Sequence, residues 1–101
     1  MGLLNWMDSM SNINKLLKDF ENEVTITQDL VANGWSVSLI EHHLNVMKDI
    51  HQQLINNFAK SSGAQGAAFH IFGKSMLMDE LLTYTKNVCL HLSAIVQNRQ
   101  P

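Results

Sequence analysis

The sequence predicts an all-α fold: an antiparallel bundle of three long helices, the third broken or kinked near Gly73, or a four-helix bundle if that break is complete. Two observations carry this. Apolar side chains recur at alternating steps of three and four over most of the chain, and Gly-rich turn signals cut that pattern at only two or three places. A length of 101 residues fits a single domain, 1–101, with enough core to stand without disulfides or metal.

The first helix is the longest. Leu3, Trp6, Met10, Ile13, Leu17, Phe20, Val24, Thr27 and Val31 fall in turn on one side of it, and Thr27 alone among them is not apolar. At 1.5 Å per residue this seam would run roughly 44 Å, and a helix that long cannot cover its own edge. Its start is blurred, because Ser9 and Ser11 are also good N-caps. The β-branched run from Val24 to Thr27 is a place for it to bend. Asn33-Gly34 ends it, since Gly34 takes the left-handed conformation that a helix C-terminus needs.

The second helix opens at Ser36 or Ser38, and Ser38 with Glu41 has the spacing of a capping box. Ile40, Leu44, Met47, Leu54 and Phe58 form its seam, with Ile50 and Ile55 beside them and a polar face opposite. A connection of small residues, from Ser61 to Gly66, closes it.

The last third is less regular. From Leu77 onward, Leu77, Met78, Leu81, Leu82, Val88, Cys89, Leu92, Ile95 and Val96 share one wide apolar face. Extended back through Ala67, the same helix would put His70 and Lys74 on its apolar face and Phe69, Phe72 and Met76 on its polar one. The phase breaks around Gly73, which inside a helix would cost about 1 kcal/mol relative to Ala. Either a short helix over residues 67–72 stops there and a new one starts near Ser75, or one helix carries an outward aromatic patch.

Composition narrows the function. Charged residues are only 16% of the chain, the net charge is −2, and the seven basic residues stand singly, so no basic stripe offers itself to nucleic acid. No apolar run is long enough for a membrane span, the first residues lack a basic signal region, and Cys89 is the single cysteine; these point to the cytoplasm. Catalysis has no visible address. Gly63 and Gly66 lack the Lys-Ser/Thr of a nucleotide loop, Cys89 lies in an apolar face, and the carboxylates are scattered over polar ones. No cofactor is expected.

Five histidines remain. His43 and His51 border the second helix's apolar face on opposite sides, two turns or about 12 Å apart, which is too far to share one metal ion. A metal- or haem-binding bundle would need one of them to converge with His70 or His91 between helices. His70 also begins a stretch, His70-Ile71-Phe72-Gly73-Lys74, that resembles the phosphate-accepting helix of histidine phosphotransfer domains. The resemblance covers about six residues. In that family a helix-borne His is followed by Lys at the third position and Gly at the fourth; here Gly73 is third and Lys74 fourth. It implies His70 as phosphoacceptor with Lys74 neutralising the phosphoryl group one turn away.

The main expectation is of another kind. Trp6, Met7, Trp35, Phe69, Phe72 and Met76 are large apolar side chains where a lone three-helix bundle has trouble covering them. They predict a small helical adaptor, regulator or inhibitor that acts by protein-protein interaction without catalysis and forms a homodimer.

Overall fold

The computed structural model describes residues 2–60 and 66–99, with side chains for 10–60 and 66–98. Three helices, α1 (Gly2–Ala32), α2 (Val37–Ala59) and α3 (Met78–Arg99), pack side by side, with two short strands, β1 (Phe69–Ile71) and β2 (Lys74–Met76), between α2 and α3. α2 packs against both other helices, while α1 and α3 barely touch each other.

α1 runs from Gly2 to Ala32 as one continuous helix, without the delayed start its sequence allowed. The β-branched run stays helical, and within it the hydroxyls of Thr25 and Thr27 donate to the carbonyls of Glu21 and Glu23, one turn back, at 3.0 and 2.7 Å. Ile13, Leu17, Phe20, Val24 and Thr27 are buried along the expected seam. The helix ends in a Schellman motif. Gly34, at φ 70°, lets its own N–H reach the Val31 carbonyl and the Trp35 N–H reach that of Leu30.

α2 starts one residue after Ser36, whose Oγ accepts from the Leu39 N–H at 3.4 Å. The cap is therefore Ser36; Ser38, the expected capping-box residue, lies within the first turn. Ile40, Leu44, Met47, Ile50, Leu54 and Phe58 are buried, and Ile55 faces outward. The expected connection over Ser61 to Gly66 lies, apart from Gly66, outside the described residues.

The region around Gly73 corrects the sequence reading. Residues 67–72 form no short helix, and α3 does not extend back through Gly73: β1 and β2 make an antiparallel hairpin in which Phe69 pairs with Met76, His70 with Ser75 and Ile71 with Lys74. A four-helix bundle is not what the described residues build. The cause is a two-residue turn, Phe72-Gly73, with φ of 49° and 75°. Positive φ at both central positions is the turn that matches strand twist. The broken helical phase is a period-two pattern instead: Phe69 and Ile71 point into the core and His70 points out. Phe69 stacks edge-on against Phe58, ring centres 5.1 Å apart.

α3 begins at Met78, with Asp79 and Glu80 favourably placed in its first turn, and Glu80 accepts the Leu77 N–H at 3.2 Å. Leu81, Cys89, Leu92 and Val96 are buried as expected. So is Thr85, which the apolar pattern passed over, whereas Leu77 is exposed.

Candidate functional site

Two polar contacts fix α2 between its neighbours. Towards α1, His43 Nδ1 meets Glu23 Oε2 at 2.6 Å, half-buried on both sides. Towards α3, His51 Nδ1 meets Thr85 Oγ1 at 2.7 Å, and the Thr85 hydroxyl also reaches the Leu82 carbonyl at 3.2 Å. Burial holds the His51 pKa below its ordinary value, and the charge of Lys86 pushes the same way. The two histidines thus serve opposite helix interfaces, as their placement on either side of the apolar face anticipated.

Because α1 and α3 are each held to α2 and not to one another, a cleft opens between them. The hairpin fills its lower half. Ile71 is fully buried there, the Phe72 N–H donates to Glu21 of α1 at 3.0 Å, and Lys74 Nζ sits 5.8 Å over the ring of Tyr84 on α3. Above the hairpin the cleft stays open, with a volume of about 370 Å³. Val24, Val88, Leu92 and Phe72 supply its apolar surface, and Gln28, Tyr84, Asn87 and His91 its polar atoms. None of these eight lining residues is Asp, Glu, Lys or Arg.

Phe72 is the unusual member. Its left-handed backbone is one that Gly, Asn or Asp adopts easily and a bulky side chain adopts at a cost of roughly 1–2 kcal/mol. Its ring is nevertheless 39% exposed at the rim of the cleft.

The residues anticipated as an interface divide. Trp35 is the most exposed large apolar side chain described, at 58%, and stands on the α1–α2 turn; Phe72 lines the cleft; Met76 is half-buried against the core. Phe69 is only 1% exposed, because its strand points it inward, so it belongs to the core and not to a surface patch. The side chains of Trp6 and Met7 lie outside the described residues.

His70 and Lys74 are both exposed, but on strands of a hairpin, with His70 opposite Ser75. The helix that the phosphotransfer resemblance requires is not there. Among the described residues no group of three or more His, Cys, Asp or Glu stands together to hold a metal ion, and no helix is long and apolar enough to cross a membrane. Cys89 is buried, and burial raises its thiol pKa, which keeps it a poor nucleophile.

The cleft was not visible in sequence, because it depends on which pair of helices fails to meet. Val24, Val88 and Leu92 read as ordinary core positions. The usable signal was the fault in periodicity around Gly73, which marks the element that stops short of filling the gap. No family model matches this chain, and neither a curated protein nor a solved structure shows significant similarity to it.

Proposed function

We propose that this protein is a small helical adaptor, regulator or inhibitor that acts by docking onto protein, carries out no reaction, and has a second copy of itself as a partner. The observation that supports this most is Phe72: an aromatic ring kept half-exposed beside an apolar cleft, on a backbone conformation that Asn would hold at less cost. A turn needed only to join two strands has no use for that ring. The scattering of the seven basic residues favours protein over nucleic acid as the partner. The cytoplasm is the compartment we propose, supported by a lone, buried, unpaired cysteine.

Sedimentation or light scattering across a hundredfold concentration range tests the reading. Wild type is expected to rise from its 11.4 kDa monomer mass towards twice that value. Phe72→Asn, which suits the turn but removes the ring, is expected to stay monomeric while keeping its helical circular dichroism. A wild type that is monomeric throughout would refute self-docking.

A further inference from the structure

We infer that the cleft between α1 and α3 is filled by the N-terminal part of α1, residues 2–9, from a second copy of the chain. The inference rests on the proposed self-docking and names the segment that carries it. Each copy would then complete the other's bundle.

Three features of the chain lead here. The first is length. α1 has 31 residues and α2 has 23. The short turn from Ala32 to Val37 makes α1 and α2 antiparallel, and the contacts Glu23–His43 and Thr27–Met47 fall on either side of its register, which brings Ala59, the last residue of α2, level with about Ser11. α3 starts at that same level, since His51 meets Thr85. The first two turns of α1 therefore project past both neighbours by about 12 Å, and among the described residues no helix runs beside them. On α3 the open cleft runs from Tyr84 to Leu92, which is again about 12 Å.

The second feature is chemistry. Residues 2–9 include Leu3, Leu4, Trp6 and Met7, with Asp8 as the single charge, whereas Met10 already packs against its own core. The cleft wall is apolar at Val24, Phe72, Val88 and Leu92, polar at Gln28, Tyr84, Asn87 and His91, and has no carboxylate, lysine or arginine lining it. An uncharged groove rejects a charged helix face through desolvation, and accepts one of this composition.

The third feature is topology. α1 and α3 run parallel with α2 antiparallel between them, so the cleft is the vacant fourth corner of an up-down-up-down bundle. The hairpin closes its lower part and limits the guest to about two turns. A contact that short buries less than a standard interface, so self-association is expected in the micromolar range or weaker. Reciprocal exchange would close a two-fold dimer, whereas one-way insertion would propagate into longer assemblies.

Because cleft and segment are different surfaces, a mixing experiment separates this arrangement from any symmetric patch-on-patch dimer. Asn87→Glu charges the cleft at an exposed position, with Val88→Glu as a second variant, and Trp6→Glu charges the segment. Measured alone by sedimentation, each is expected to dissociate at least tenfold more readily than wild type. An equimolar mixture of Asn87→Glu and Trp6→Glu chains is expected to associate more tightly than either variant alone and more weakly than wild type, since the mixed pair keeps one of the two cleft-segment contacts. A wild-type dimer that Trp6→Glu leaves intact, or a mixture that associates no more tightly than either variant alone, would overturn the segment-in-cleft arrangement while leaving self-docking standing. A monomeric wild type would overturn both.

Discussion

Gly73→Ala distinguishes the hairpin from a continuous helix by the sign of its effect. Gly73 sits at φ 75° with no heavy atom within 4 Å of where a Cβ would lie, so the substitution meets no clash and reports backbone conformation alone. In the hairpin, alanine must adopt the left-handed region at roughly 1–2 kcal/mol, partly offset by the reduced freedom of the unfolded chain, for a net loss of about 1 kcal/mol. In a helix running through the same position, alanine would gain about 1 kcal/mol. For a domain of this size each kcal/mol moves Tm by about 4–8 °C, so the alternatives differ by roughly 10 °C, well within reach of a thermal melt followed by circular dichroism. Protein concentration must be held fixed, because self-association would itself raise Tm. Two controls come from the same chain. Gly34→Ala, at φ 70° and equally unobstructed, should fall by a similar amount, and Gly66→Ala, unobstructed and without a positive φ, should not fall. A rise in Tm for Gly73→Ala would refute the hairpin and remove the lower wall of the cleft with it.

Other expectations follow from the buried polar groups. Thr85→Val should cost about 1–2 kcal/mol in denaturant unfolding, because it strands His51 Nδ1 at the α2–α3 interface, whereas Thr27→Val, whose hydroxyl mainly serves its own helix, should stay within about 0.5 kcal/mol. His51 has a folded pKa below its ordinary 6.5, so its contribution is fully present above that value and is lost as pH falls through the folded pKa. Its ring should titrate below 6.5 by NMR, and a His51→Gln variant should lose less stability than wild type on going from about pH 7 to about pH 5. Cys89, buried with its thiol pKa raised, should react with an aromatic disulfide reagent far more slowly in the native protein than in denaturant. Native reactivity equal to the denatured rate would mean that the core around Leu92 is open.

The helices were legible because each seam repeats over five or more apolar positions, long enough for a period of 3.6 to stand out. The hairpin was not. Strands of three residues give only one alternation, Phe69 in, His70 out, Ile71 in, and on a helical frame that registers merely as lost phase. Its turn was disguised as well: Asn-Gly would have announced it, and Phe-Gly does not. The residue that hid the element is thus the one that rims the cleft. Two neighbouring serines, Ser36 and Ser38, both satisfied the rules for a cap, and only the geometry of the turn selects Ser36. The burial of Thr85 could have been read, since it falls at steps of four between Leu81 and Cys89 as Thr27 falls on the seam of α1, but its partner, His51, 34 residues away, could not.

The hairpin's two attachments, the Phe72 amide on Glu21 and Lys74 over Tyr84, tie together helices that otherwise each lean on α2. It acts as a spacer block set between two rails, and the length of its turn gauges how far apart they stand. Adding or removing a residue there would change the aperture at Val24 and Val88 without touching either helix. The width of the cleft is therefore set from the turn that carries Phe72, one of its own lining residues, and not from the helices alone.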